Sequence, residues 1–235
     1  MKISLFSIAD IALGKHNVQD PRLNQIYSLT NSKKTTYVQV EFVGEDAALD
    51  ADIILVSTDS KADLILKDLE FVETRLSRSA EESEKALLNK LKSILEKEGF
   101  IFHTALSEEE KKTISGYGLL SNRPVIVAQR QGLGSLDDFL LKGLGQSGYI
   151  SFFTAMQGGR ETRAWLIKKG TTAWEAAGAI HSDIQKGFIR AEIIIFNDYI
   201  QAGGETQAKQ AGKMRLEQKD YVMQDGDIVN FRFNK

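Results

Sequence analysis

Two glycine-containing segments have the spacing of phosphate-binding loops. The segment ADIALGKH, from Ala9 to His16, follows an apolar run, but Ala9 replaces the first glycine of such a loop and His16 replaces the hydroxyl that binds magnesium. The segment GLGQSG, from Gly143 to Gly148, has dinucleotide-loop spacing, but a helix is predicted before it and a strand after it. Neither segment therefore predicts a nucleotide site, and we interpret the second as a helix end followed by a linker.

Other catalytic arrangements are scarce. The chain has no cysteine and only three scattered histidines, which excludes disulfides, thiol nucleophiles and cysteine-ligated metals, and argues against a histidine metal cluster. His181 and Asp183 are two residues apart at a predicted helix end, where helix capping is favoured over acid–base catalysis. We expect no catalytic residue, no metal and no cofactor.

Basic and aromatic residues near the C-terminus have the chemistry of a nucleic-acid contact. Arginine grips phosphates through two donors, lysine supplies a point charge and tyrosine can stack on an unpaired base. We predict that a β-rich fold brings these residues to one face to bind RNA or a partner, with ordinary solvated surface as the alternative. The candidate residues are Lys186, Arg190, Lys213, Arg215, Lys219 and Tyr221.

The composition is that of a globular protein of one large or two modest domains. The 235 residues are 42% apolar and 26% charged, and the formal net charge is -2. Residues 149–235 carry 12 basic and 10 acidic side chains, against 18 and 22 in the rest. This balance does not by itself indicate a nucleic-acid-binding protein. No apolar run is long enough to span a membrane and no signal peptide is visible, so we expect a cytoplasmic protein.

The first 148 residues have the pattern of an α/β unit interrupted by helices. After Ala62, apolar residues recur every three or four positions on both sides of a polar break at 77–83, which predicts a helical hairpin. Gly99 is expected to cap the second helix, and Ser107 with Glu110 predicts a capping box. The predicted strands span 3–8, 37–43, 53–56 and 124–128, and a further helix begins at Ser135.

From Tyr149 onward the pattern is that of a compact β-grasp-like domain. Thr172 with Glu175 predicts a second capping box, which begins a helix. Asp225-Gly226-Asp227 predicts a tight hairpin turn into an alternating last strand. The other predicted strands span 163–167 and 188–196, with a turn at Gly170.

These C-terminal residues closely resemble the C-terminal TGS domain of the YchF/Obg-like ATPases. The resemblance covers nearly all of residues 149–235, with small departures at Trp174, Ser182 and Gln218. Upstream it continues in fragments, at Val18 to Leu23, at Val40 to Val43 and in the helical hairpin. The runs that carry the resemblance most clearly are Phe152 to Ala155, Arg163 to Trp165, Gly178 to Asp183, Lys186 to Glu192, Ala211 to Arg215 and Lys219 to Ile228.

The nucleotide motifs of that family are missing. Gly14 aligns with a glycine shortly before the segment Asp20-Pro21-Arg22-Leu23, so the phosphate loop and its helix are interpreted as deleted. The switch aspartate and glycine expected after Val43 are replaced by Gly44-Glu45-Asp46. The family's base-specificity motif, Asn-x-x-Glu, here reads Ala128-Gln129-Arg130-Gln131. The resemblance therefore implies a reduced paralogue without nucleotide hydrolysis, because phosphoryl transfer depends on these groups.

The resemblance implies three parts. They are a degenerate P-loop GTPase-like α/β core at 1–60 and 118–148, an inserted α-helical coiled-coil hairpin at 61–117, and an α+β, ubiquitin-like β-grasp TGS domain at 149–235, which we expect to fold alone. The implied function is a non-catalytic, ribosome- or RNA-associated module in translation, with no DNA sequence readout. Two alternatives stay open: a protein-interaction module that partners a full-length relative, with the helical arm as a contact, and a residual ATP- or GTP-binding protein.

Overall fold

The computed structural model describes residues 1–128, 135–155 and 159–234. Within the described residues, the strands are β1 (Lys2–Phe6), β2 (Gly14–Val18), β3 (Thr35–Thr36), β4 (Val38–Val43), β5 (Ile53–Ser57), β6 (Val125–Ala128), β7 (Tyr149–Ala155), β8 (Thr162–Lys168), β9 (Phe188–Ile195), β10 (Arg215–Glu217) and β11 (Asp227–Phe233). The α-helices are α1 (Pro21–Thr30), α2 (Lys61–Arg78), α3 (Glu82–Glu96), α4 (Glu108–Ile114), α5 (Leu136–Gln146), α6 (Ala173–Ile180), α7 (Ser182–Lys186), α8 (Phe196–Ala202) and α9 (Glu205–Gln210).

The contacts divide the chain into two compact units. The N-terminal unit comprises Met1–His16 and Val40–Gly134, and the C-terminal unit comprises Asn17–Gln39 and Ser135–Lys235. Residues 17–39 and 135–148, which the sequence assigned to the core, thus group with the C-terminal segment. Whether 1–60 with 118–148, 61–117 and 149–235 fold as separate parts stays a prediction. In the part of the chain that the structure describes, no helix is long and apolar enough to cross a membrane.

The N-terminal unit contains a five-stranded sheet in the order β2-β4-β1-β5-β6. β1 pairs in parallel with β4 and β5, and β5 pairs in parallel with β6. Every residue of β5 is buried, as expected of a central parallel strand, whose sequence is continuously apolar because both faces are covered. The strands predicted at the start of the chain and at 124–128 are confirmed.

Two helices, α2 and α3, pack against each other in the N-terminal unit, joined by the short connection 79–81. Ile65, Val72 and most of the predicted α3 stripe are buried, together with Leu64. The predicted cap at Gly99 needs correction. Glu98 adopts the left-handed conformation, with φ 54°, and the Gly99 N–H donates to Ile94 O at 3.0 Å. A Cβ at position 99 would lie 3.1 Å from that oxygen, so glycine permits the close approach.

The capping boxes predicted in both units are present. The Ser107 N–H donates to Glu110 Oε2 at 2.7 Å, and the Glu110 N–H donates to Ser107 Oγ at 3.1 Å, at the start of α4. Thr172 and Glu175 make the same reciprocal bonds at the start of α6. Each pair satisfies two backbone donors that a helix start otherwise leaves without partners.

The C-terminal unit contains a six-stranded mixed sheet in the order β10-β9-β11-β7-β8-β3. One face of this sheet packs on α6 and α7 through buried residues that include Phe152, Ala177 and Ile193. The other face packs on α1, α8 and α9 through Leu23, Tyr199 and their neighbours. We call these two surfaces of the sheet the α6 face and the α1 face.

The last strand is not part of a hairpin, which corrects the sequence prediction. β11 pairs antiparallel with β9 and parallel with β7, whereas Val222 makes only an isolated bridge to Thr172. The turn itself is present, with Gly226 at φ 88°. The two short helices α8 and α9 were not predicted.

Candidate functional site

Arg215 and Tyr221 are brought together, and a buried carboxylate holds them. Arg215 Nη2 donates to the Tyr221 hydroxyl at 3.0 Å, and that hydroxyl donates to Asp227 Oδ2 at 3.0 Å. The Arg215 guanidinium also lies 5.4 Å from the centre of the tyrosine ring. Asp227 is 1% exposed, and burial raises the pKa of its carboxyl. One edge and one face of Tyr221 are thus occupied within the protein, which weakens the prediction that it stacks on a base.

The phenylalanine variant of Tyr221 should be less stable. Without the hydroxyl, Asp227 Oδ2 keeps only the Gln224 N–H, 2.9 Å away, and its Oδ1 has no hydrogen-bond partner among the described residues. We expect Tyr221→Phe to lower the free energy of unfolding by about 1 to 2 kcal/mol. Urea denaturation checks this, with Tyr27→Phe, a change at an exposed tyrosine, as the control. An unchanged midpoint for Tyr221→Phe would show that the hydroxyl network contributes nothing.

Three of the candidate lysines are exposed at separate places. Lys213 forms an ion pair with Asp198 of α8, with Nζ and Oδ1 3.3 Å apart. Lys186 ends α7. Lys219 contributes its backbone oxygen to the N–H of Trp174, and its side chain makes no ion pair with a described residue. Lys213 is therefore partly neutralised, whereas the side chains of Lys186 and Lys219 are available to an anionic partner.

Arg190 lies on the opposite face of the sheet from Arg215, so the expectation of a single face is wrong. Arg215 pairs with Ile193 of β9, and residues three apart in a strand point to opposite faces. Arg190 pairs instead with Arg232 on the α1 face, beside Glu192, which accepts a 2.9 Å hydrogen bond from Arg232 Nε. Sequence position alone could not show this, because the register between β9 and β10 depends on the connection through α8 and α9.

The end of β1 has none of the geometry of a phosphate loop. β1 lies between β4 and β5 in the sheet. Ligands of open parallel sheets bind at the carboxyl ends of such strands, so a nucleotide would meet the chain directly after β1. Residues 7–13, all of them described, form no helix and lead directly into β2. After β4 the chain forms a 3-10 helix, Glu45–Asp50. The predicted base-motif positions Gln129, Arg130 and Gln131 lie outside the described residues.

The other sequence motifs have structural roles. α5 ends at Gln146, Gly148 has φ 82° and β7 begins at Tyr149, which confirms the interpretation of a helix end and linker. His181 Nδ1 accepts a 3.1 Å hydrogen bond from the Asp183 N–H at the start of α7, which confirms helix capping. Within the described ranges, no group of three or more His, Cys, Asp or Glu residues is arranged to hold a metal ion.

A charged network that the sequence reading missed joins α1 to the C-terminal sheet. Arg22 Nη1 donates to Asp225 Oδ2 and Arg22 Nη2 donates to Asp20 Oδ2, both at 2.7 Å. The Ser151 N–H donates to Asp225 Oδ1 at 2.9 Å. Burial lowers the pKa of Arg22, but the bonds to Asp20 and Asp225 outweigh it and raise the pKa above its usual value. The sequence predicts Asp225 only as a turn residue. Its partner Arg22 is 203 positions away in the chain, so no local pattern could indicate the ion pair.

Comparison with known proteins identifies the family. The YchF-GTPase_C family model, described as a protein of unknown function (DUF933), matches residues 149–234. The ribosome-binding ATPase YchF of Haemophilus influenzae is 34% identical over 257 residues, covering 83% of this chain and 69% of that protein. That of Bacillus subtilis is 33% identical over 237 residues, covering 73% and 64%. That of Escherichia coli O157:H7 is 57% identical over 84 residues, covering 36% and 23%.

A solved structure supports the same fold. The Schizosaccharomyces pombe YchF GTPase superposes with a TM-score of 0.73 at 19% identity, covering 99% of this chain and 97% of that one. The superposition and the length of the sequence matches define a YchF-type α/β fold. The chain belongs to the YchF/Obg-like ATPase family. It spans 64 to 69% of the length of the Haemophilus and Bacillus relatives that it matches.

Proposed function

We propose that this chain is a non-catalytic member of the YchF family that binds the ribosome or structured RNA and neither binds nor hydrolyses ATP or GTP. The observation that carries the proposal is the connection after β1. A phosphate loop presents successive backbone N–H groups to phosphate oxygens and continues into a helix whose N-terminus favours negative charge. Here residues 7–13 form no helix, and the chain passes directly from β1 into β2.

The residues present at this position therefore do not fit a magnesium–nucleotide complex. Phosphoryl transfer is catalysed by positioning and by charge stabilisation, and both come from the phosphate loop and the magnesium ligands. After β4, Gly44-Glu45-Asp46 begins a 3-10 helix where the resemblance implies the family's switch aspartate and glycine. We derive no catalytic step from this chain.

The binding part of the proposal depends on the C-terminal unit. Residues 149–234 match the family model, and relatives that are 57% identical over 84 residues are named ribosome-binding ATPases. We assign this segment to the TGS domain with a β-grasp fold, and α2 with α3 to the coiled-coil arm of the family. Lys186 and Lys219 have no ion-pair partner among the described residues and are the candidate contacts that the structure supports best.

Calorimetry tests the absence of nucleotide binding. The titration uses magnesium with ATP or GTP at about 1 mM. A dissociation constant of about 1 mM corresponds to a binding free energy of only about 4 kcal/mol, so even weak binding would be seen, and we expect no binding heat. A saturable isotherm in the micromolar range would contradict the proposal and favour residual nucleotide binding. A full-length YchF ATPase prepared in the same buffer serves as the positive control.

Co-sedimentation with ribosomes tests the binding function. We expect the purified chain to pellet with ribosomes at low salt and to dissociate as salt rises, because contacts to phosphates release counterions. Lys213→Glu with Lys219→Glu should weaken binding without unfolding the chain. No co-sedimentation at low salt would reject ribosome binding. Ribonuclease-resistant capture of a protein partner at high salt would instead favour the interaction-module alternative.

A further inference from the structure

The C-terminal unit contains a cleft of the size of a ligand site. The cleft has a volume of about 480 Å³. It lies between the end of α5, the start of β7, the end of β8 and the turn at 222–225. Clefts of several hundred Å³ with apolar walls and a few polar groups are typical of ligand sites. Its apolar walls include Leu141, Leu144, Ile150, Leu166, Val222 and Met223.

The charged groups inside the cleft already have partners. Arg22 and Asp225 both line it, and they form the 2.7 Å ion pair described above, with Asp20 as a second partner of the arginine. Asp225 also accepts the Ser151 N–H. Because one arginine faces two carboxylates, the interior offers apolar surface and no free positive charge, so the phosphates of a ligand belong at the rim and not inside the cleft.

The rim, in contrast, carries uncompensated positive charge. Lys169 lines the cleft, Lys168 precedes it at the exposed end of β8, and Lys142 follows Leu141 on α5. None of these three lysines forms an ion pair with a residue in the described ranges. A polyanion therefore matches this rim better than a neutral or cationic ligand.

We propose that this cleft receives an unpaired base of single-stranded RNA while Lys168, Lys169 and Lys142 contact the flanking phosphates. The proposal rests on the proposed RNA-binding function and assigns it a site different from the candidate residues of the sequence. Apolar walls bind either face of any base, and a lysine rim follows the backbone, as in sequence-tolerant single-strand sites. A neutral or basic peptide is disfavoured, because it would leave the positive charge of the lysine rim uncompensated.

Gly145 offers a way to close the cleft without disturbing the fold. It lies within α5 and lines the cleft, and a Cβ added there has no atom within 4 Å. Replacement of a helical glycine also favours the helix. Gly145→Phe should therefore occupy the cleft, whereas Gly145→Ala adds one methyl group and should weaken binding much less.

The probes are a labelled oligouridine of about ten nucleotides and an RNA duplex of the same length, with fluorescence anisotropy of the full chain as the measurement. We expect the single strand to bind more tightly than the duplex, and Gly145→Phe to weaken single-strand binding about tenfold, within the range for one stacked base. Lys168→Glu with Lys169→Glu should also weaken binding and reduce its salt dependence. The matched control is Lys111→Glu with Lys112→Glu, an exposed lysine pair of α4 with the same change in charge.

The outcomes separate this proposal from the proposed function. Unchanged oligouridine binding by Gly145→Phe, or equal affinity for the duplex, would overturn the cleft site. If Gly145→Phe fails to fold, Val222→Glu, at a 45% exposed wall residue, applies the same test by placing a carboxylate beside the phosphates. Cleft variants that keep both oligouridine binding and co-sedimentation with ribosomes would leave ribosome binding intact and reject the cleft. Oligouridine binding that depends on the cleft, in a chain that does not co-sediment with ribosomes, would support the cleft and reject ribosome binding.

Discussion

Leu23→Ala is expected to lower the free energy of unfolding of the C-terminal unit by about 3 kcal/mol, because it leaves a cavity in a fully buried site. Leu23 and Ile26 of α1 are 0% exposed and pack in one cluster with Phe153 and Ile228 of the C-terminal sheet. Urea denaturation followed by tryptophan fluorescence measures this, since both tryptophans of the chain, Trp165 and Trp174, belong to that unit.

The matched control is Gln25→Ala, an exposed position on the same helix, which should change the free energy by less than about 0.5 kcal/mol. Equal midpoints for the Leu23 and Gln25 variants would show that α1 does not belong to the C-terminal core. The expected difference is larger than that for any surface substitution discussed above.

The same contacts revise the expectation for the isolated fragment 149–235. Beyond the packing of α1, the Thr162 side-chain oxygen lies 3.0 Å from that of Thr30, and the Thr162 N–H donates to Lys34 O at 2.9 Å. We therefore expect the fragment alone to give a poorly dispersed proton–nitrogen spectrum, and a peptide of residues 17–39 to restore dispersion. A well-dispersed spectrum without the peptide would support the sequence-based boundary at 149.

Local signals in the sequence predicted the elements that local physics determines. Both capping boxes, the α2 and α3 stripes and four of the five strands of the N-terminal sheet depend on spacing within a few residues, and the structure contains them, whereas β2 was not predicted. α8 and α9 were missed because they have seven and six residues, too short for a helical period to be visible. α1 was not predicted as a helix, although Asp20 followed by Pro21 is a helix-start signal.

The candidate site shows where such reasoning ends. The sequence placed Arg190 and Arg215 on one face, but the face of a strand residue depends on register, which is determined by partners elsewhere in the chain. The charged network of Arg22 and Asp225 joins residues 203 positions apart, and the cleft that they line is formed by five separate segments. Single residues carry no signal of such a cleft. In the sequence, Lys168 and Lys169 are ordinary exposed lysines, and only the structure places them at the rim of the cleft.

Asp68 of α2 is the buried acidic residue whose loss should most destabilise the N-terminal unit. It is 3% exposed, and its carboxylate accepts the N–H groups of Leu120, at 2.9 Å, and Ser121, at 2.7 Å. Burial raises the pKa of this carboxyl, while the two backbone donors act in the opposite direction and compensate the buried charge. The side chain thus fixes α2 to the 3-10 turn before β6, across 52 residues of sequence.

Asp68→Ala should lower the free energy of unfolding by about 2 to 4 kcal/mol, because two buried backbone donors lose a charged acceptor and a small cavity is left. Circular dichroism at the helix band during urea denaturation is the measurement, since α2 and α3 supply much of the helix and both tryptophans lie in the other unit. Glu70→Ala, an exposed carboxylate two positions along the same helix, is the control and should stay within about 0.5 kcal/mol. If both variants unfold at the same urea concentration, the hydrogen bonds of Asp68 do not hold α2 in place, and the packing of Leu64 and Val72 alone must account for it.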